Sequence, residues 1–208
     1  MFEVSWLLFV AASLVLIATP GQDMVLVLSR SIAQGAVGGI ATALGVSVGL
    51  IGHTILATLG IGALLRASEF LFETLKLIGA GYLFYLGARM LFAKEHGLSG
   101  SAAAPQTFWR LFLNGAISSI SNPKIAIFYF AFLPQFVRPA SAHPTLAILV
   151  LGLVFSLLTF SVKAPVALFS AALSGWLRSR PGVLKYLHRT SGAVLIALGA
   201  RLAVAKRS

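Results

Sequence analysis

The sequence predicts an all-α polytopic membrane protein, with six transmembrane helices arranged as two inverted three-helix repeats and with helices 1 and 4 broken. Three observations carry that prediction. Of 208 residues, 58% are apolar, only 16 are basic and 5 acidic, and the mean hydropathy is +0.94, whereas a soluble domain carries about 25% charged residues. The apolar residues fall in runs of roughly 20, the length a bilayer-spanning helix needs. These runs do not alternate as the strands of a membrane barrel would. Finally, a terminal motif and a mid-span proline recur in both halves. The composition excludes a soluble enzyme. The net charge of +11 lies in short loops between apolar runs, so it reads as an orientation signal and not as a nucleic-acid surface. With no cysteine, disulfides, thiol chemistry and Cys-based metal sites are excluded.

The chain reads as one transmembrane domain over 1–208, with repeat 1 at about 1–92, a linker at about 93–107 and repeat 2 at about 108–208. Span one runs from Trp6 to Leu28 and is interrupted by Thr19-Pro20-Gly21. Glu3 stands where a secretory signal would carry basic residues, so this run is expected to remain as a helix. Span two, Gly39 to Leu65, contains no charge. Span three, Phe70 to Phe92, carries Glu73 and Lys76. The polar stretch Ala93 to Thr107 follows. Span four, Leu111 to Phe132, is broken by Asn122-Pro123. Span five, Leu146 to Leu168, holds Lys163 and Pro165 late. Span six, Leu184 to Ala205, has only 11 residues between Arg189 and Arg201, so those arginines must snorkel or line a polar cavity.

Loop charge sets the orientation. If the termini share one side, the opposite side receives Arg30, Arg89, Lys94, Arg110, Arg178, Arg180, Lys185 and Arg189, against Arg66, Arg138, Arg201, Lys206 and Arg207 on theirs. This places both termini on the outer side.

Lys76 to Arg89 can be laid over His188 to Arg201, ending in Leu86-Gly87-Ala88-Arg89 over Leu198-Gly199-Ala200-Arg201. Three spans per repeat make the two units opposite in orientation. Proline inside a helix removes a hydrogen bond and clashes with the preceding turn. At membrane depth, such backbone persists only where it is buried in protein or lines a cavity, so two corresponding breaks point to a binding site. At the first break, Pro20 and Gly21 bend the chain and Asp23 falls in the next half-helix's first turn, as a cap or as a site residue. At the second, Asn122 is a natural N-cap and Pro123 a natural N1 residue. Lys124 then lies where the helix dipole disfavours a cation and needs an anionic partner, either Asp23 or a substrate carboxylate. Asp23, Lys124 and two half-helix ends match the charges of an amino acid.

His53, mid-span, reads as a packing hydrogen bond or as a proton relay. Glu73 and Lys76, three apart, pair on one helix face, with gating as the alternative role. Lys163 either snorkels or faces the cavity. Gly45-Val46-Ser47-Val48-Gly49 imitates a hydrolase elbow, but it lies inside an apolar helix. With Ala41 it forms a small-residue face for close packing, either inside the monomer or in a homodimer. The scattered histidines and few acids suggest no metal or other cofactor.

The motifs Ala18-Thr-Pro-Gly-Gln-Asp-Met, Leu75-Lys-Leu-Ile-Gly-Ala-Gly-Tyr-Leu-Phe-Tyr-Leu-Gly and Phe112-Leu-Asn-Gly-Ala-Ile-Ser-Ser-Ile-Ser-Asn-Pro-Lys, followed by Phe132-Leu-Pro-Gln-Phe, keep their order along the chain. As a set they resemble the LysE/RhtB family of bacterial amino acid exporters. The resemblance implies a six-helix inner-membrane protein that expels basic or neutral amino acids such as lysine, homoserine, threonine or leucine, driven by the proton-motive force. Its motif residues map onto Pro20, Gly21, Asp23, Lys76, Gly79, Tyr82, Asn114, Asn122, Pro123, Lys124 and Gln135, which brings Gln135 in beside His53, Lys76, Glu73 and Lys163 as a coupling or gating candidate. Gln22 stands where the family usually has a second proline; it either loosens the break or adds an amide that can hydrogen-bond substrate. The expected partners are a small-molecule substrate and membrane lipid, not nucleic acid. The alternatives are efflux of inorganic cations or another small solute, or a non-transporting membrane subunit.

Overall fold

A computed structural model describes residues 4–19, 21–67, 69–92, 105–137, 141–170, 172 and 181–204. Seven α-helices occupy them: α1 (Trp6–Ala18), α2 (Gln22–Ala67), α3 (Glu69–Leu91), α4 (Phe108–Ile120), α5 (Pro123–Ile127), α6 (Pro144–Leu168) and α7 (Pro181–Val204). A π-helical turn (Phe128–Phe132) and a 3-10 turn (Leu133–Phe136) continue α5. Within the described residues, the six apolar runs expected from the sequence fall on helix apart from the interruptions at 19–21 and 121–122 and the end residue Phe92. Residues 93–104 of the expected linker lie outside the described residues, as do Pro20, Lys94, Arg138, Arg178, Arg180, Lys206 and Arg207.

The 46 residues of α2 would extend about 69 Å at 1.5 Å per residue, more than twice a bilayer's hydrocarbon core. Gly35 resolves this. Its φ of +77° and ψ of 179° belong to a region open only to glycine. There the chain turns back, so that Gly39 packs on Ser31, which a straight helix would hold about 12 Å away. The arms are 22–34, completing the first broken span, and 36–67, forming the second.

The exterior is unusually apolar, although the interior also holds a large hydrophobic cluster. The outer surface carries Leu7, Val37, Leu59, Phe92, Trp109 and Leu157, whereas Asp23, Thr42, Ser47, His53, Thr54 and Lys163 are buried. Apolar sides facing lipid and polar groups facing inward are what a bilayer solvent selects. By length and composition Gln22–Gly60, which includes the turn at Gly35, and Pro144–Leu168 are long and apolar enough to cross a membrane, and Phe108–Ile120 with Pro123–Phe136, bent by 52°, passes the same test only as a pair, as a broken span or a re-entrant loop. Among the described residues α1, with 13 residues, is a shorter apolar helix.

Small residues bring the helices together. A Cβ on Gly45 would strike the Phe112 carbonyl, and one on Gly115 would strike that of Thr42, so α2 and α4 touch backbone to backbone. This assigns the Ala41/Gly45/Gly49 face to the interior of the molecule. α6 packs antiparallel on the other side of the second arm, with Gly152 on Thr54 and Ala167 on Gly39. An aromatic cluster fixes α5 and its continuation to α6: Phe128 stacks on Phe155 at 4.4 Å, and Tyr129 lies edge-on to Phe155 at 5.7 Å.

Candidate functional site

The two broken spans run antiparallel and meet at their breaks. At one end, Ser5 N donates to Phe136 O at 3.1 Å beside a bridge between Val4 and Val137. At the other, Gln106 N donates to Gln34 Oε1 at 2.6 Å. The breaks lie between these ends, and each is shaped by its local sequence. Asn122 caps α5 through Oδ1, which accepts from Lys124 N at 3.1 Å, and Pro123 occupies the first helical turn, as the Asn-Pro pair predicts. Asp23 lies in the first turn of α2, where a carboxylate suits the dipole.

Each break is closed by a residue from the other broken span. Lys124 Nζ donates to Leu16 O at 3.2 Å and Thr19 O at 3.3 Å, two orphan carbonyls at the C-terminus of α1. Gly21 makes room for this, since a Cβ there would lie 3.2 Å from Nζ. Reciprocally, Gln22 Nε2 reaches Ser118 Oγ at 3.2 Å and Ser118 O at 3.4 Å in the last turn of α4. Ser118 Oγ in turn donates to Asp23 Oδ1 at 3.0 Å. Thus N-terminal turns meet C-terminal turns, and the half-helices are not arranged N-terminus to N-terminus. This corrects the expected partner of Lys124. Among the described residues it forms no direct ion pair with Asp23; it sits at a negative helix end, where a cation is favoured.

One cavity collects these groups. Asp23, Asn122, Lys124, Thr159 and Lys163 supply its polar lining, and Leu16, Ile17, Met24, Leu50, Ile125 and Phe155 its apolar walls. Asp23 is 5% exposed and Lys163 4%, so Lys163 faces the cavity instead of snorkelling. The free interior is about 10 Å³, roughly the space of one water, so a solute can enter only if the helices part. Gly21 also lines it, whereas Gln22 bonds Ser118 at its edge.

The other sequence candidates lie apart from this lining. His53 Nε2 is 3.1 Å from Ser119 O, and its ring stacks on Tyr129 at 5.5 Å; Nδ1 is buried without a hydrogen bond among the described residues. Glu73 and Lys76 pair at 2.6 Å on α3. Gln135 Nε2 donates to Ala131 O at 3.3 Å, within its own turn. Two contributors were not singled out from sequence. Ser118 carried only the signal of lying one turn before Asn122. Thr159 carried that of lying four residues before Lys163, on the same helix face. Among the described residues no group of three or more His, Asp or Glu could hold a metal ion.

Comparison with known proteins matches residues 14–206 to the family described as LysE type translocator. An uncharacterised membrane protein of Pseudomonas aeruginosa is 32% identical, covering 96% of this chain and 95% of its own. A homoserine/homoserine lactone efflux protein of Salmonella typhimurium is 30% identical over 98% of both chains. A leucine efflux protein of Salmonella choleraesuis is 28% identical over 94% of this chain and 92% of its own. No solved structure matches.

Proposed function

The chain belongs to the LysE-type translocator family, and from that premise we propose that it exports amino acids or closely related small metabolites across the bacterial inner membrane as a secondary transporter coupled to the proton-motive force. The observation that carries this reading is the cavity where two interrupted, antiparallel spans meet, lined by one carboxylate and two lysines. A structural subunit would not need such groups at bilayer depth, where each is costly to insert. The substrate site comprises Asp23, Asn122, Lys124, Gly21 and Gln22, with Pro20 and Pro123 setting the breaks. Relatives named for homoserine and leucine efflux point to amino acids as the cargo.

Alternating access would rock two inverted three-helix units, 1–92 and 108–208, about this site. The packing of α3 on α7 supports that symmetry. Gly87 lies against the Gly192 carbonyl, and Gly199 lies against that of Ala80. The register that lays Lys76 over His188 also lays Gly87 over Gly199 and Ala80 over Gly192, so it exchanges one contact for the other. Six crossings then follow, with both termini outside. A Ser208→Cys variant should be labelled in intact cells by a membrane-impermeant maleimide; labelling only after lysis would reverse the orientation.

His53 is the proton relay of this reading, and the Glu73–Lys76 pair and Gln135 act as gates at the periphery. Counterflow in proteoliposomes tests the whole. Preloaded vesicles should exchange labelled leucine or homoserine, and Asp23→Asn should abolish exchange while the protein still melts cooperatively. His53→Gln should keep exchange but lose efflux driven by a pH gradient. No exchange of any amino acid by the wild type, or full exchange by Asp23→Asn, would overturn the reading.

A further inference from the structure

One charge in the cavity has no local purpose. Lys124 is held by the Leu16 and Thr19 carbonyls, and Asp23 by the Ser118 hydroxyl. Lys163 is 4% exposed and lines the same cavity, and its amino group makes no hydrogen bond or direct ion pair with any described residue. A buried ammonium without a bonded anion is costly at bilayer depth. Asp23, across the cavity, is its counter-charge, but no direct contact joins them. The two unpaired charges line the same cavity, and when the helices part they can receive a molecule with an anion at one end and a cation at the other.

We propose that Lys163 is the receptor for the substrate carboxylate, and that the two lysines of the cavity exclude amino acids with a second amino group. The inference rests on the export reading above and narrows its substrate. In their ordinary ionic forms the cavity groups carry one negative and two positive charges, of which Lys124 is already engaged by carbonyls. A zwitterion places its carboxylate on Lys163 and its ammonium on the free Asp23 oxygen, and leaves the net charge unchanged. A basic amino acid would add a second ammonium beside two lysines in a low-dielectric space, where like charges repel strongly. An amide or ester of the same amino acid would leave Lys163 unmatched. The walls formed by Leu16, Ile17, Met24 and Phe155 accept an aliphatic side chain.

The test uses the full chain, purified, in two measurements. In counterflow, leucine should compete with labelled leucine at least about ten-fold better than leucinamide or lysine, the discrimination expected of a charge-assisted hydrogen bond. In detergent, leucine should raise the melting temperature of the wild type and of Lys163→Arg, while leucinamide should not. Lys163→Gln should melt cooperatively without any leucine shift and lose the preference for leucine over leucinamide. Retention of that preference by Lys163→Gln, or equal competition by lysine and leucine in the wild type, would overturn the inference and leave the export reading intact. Absence of amino acid exchange by the wild type would remove both.

Discussion

Lys124 and Gln22 show how side chains at a helix break can serve the opposite helix. Both stand in the first turn after an interruption, and both reach carbonyls that the other span leaves unpaired at its C-terminus. A helix end buried without such partners would carry unsatisfied acceptors. Lys124 is therefore first a brace between the two halves, and the cavity owes its shape to it. Lys124→Met should lower stability by about 1–3 kcal/mol, the cost of leaving buried acceptors unmatched, read as a lower thermal midpoint in detergent. Gly21→Ala should show a milder version, because the added methyl would crowd Nζ at 3.2 Å without removing it. Equal stability of Lys124→Met and wild type would remove the bracing role. The expected Asp23–Lys124 pair was a reasonable reading of two opposite charges near two prolines. It was displaced because the antiparallel docking brings the first turn of α5 to the end of α1, and carbonyls lie closer than the carboxylate.

At the scale of elements, the breaks and the close approaches were written locally. Asn122-Pro123 encodes a helix start wherever it occurs, and the predicted interruption is found at that place. Gly45 and Gly49, four apart, encode a groove. The sequence left open whether another protomer or the same chain would fill it; α4 fills it here. Gly45→Ala should cost about 1–3 kcal/mol as an overpacked contact, since the neighbouring atoms are backbone. Gly60, with open space around it, is the control: Gly60→Ala should leave the melting temperature unchanged or raise it slightly. If both variants melt alike, the contact between α2 and α4 is not what the glycines serve. The turn at Gly35 was not foreseen as a turn. A lone glycine among good helix formers carries little local signal, and only the need to reverse between two packed arms forces its positive φ.

Across the whole molecule, the two broken spans form an antiparallel pair tied at both ends and braced at the centre. Opening the cavity to either side must loosen one of the end ties, Val4–Val137 and Ser5–Phe136 or Gln34–Gln106. The chain contains no cysteine, which makes a crosslink easy to interpret. Directly paired residues of an antiparallel bridge lie about 4.5–5.5 Å apart at Cα, within disulfide range. Val4→Cys with Val137→Cys should therefore oxidise readily, stop counterflow and recover it on reduction. Full exchange by the oxidised protein would show that this end does not open during transport.

The sequence alone determined the solvent. Fifty-eight per cent apolar residues with 21 charges among 208 allow only a bilayer, which admits helices or closed barrels because no water satisfies an open backbone, and the long non-alternating runs select helices. Proline, asparagine and glycine chemistry then placed the interruptions, since those effects act within a turn. What only the tertiary structure decided was partnership: that Lys124 meets carbonyls and not Asp23, that Ser118 orients the carboxylate, and that Lys163 faces inward. Partnership between residues about a hundred positions apart depends on how whole helices dock, and no local pattern of side chains carries that information.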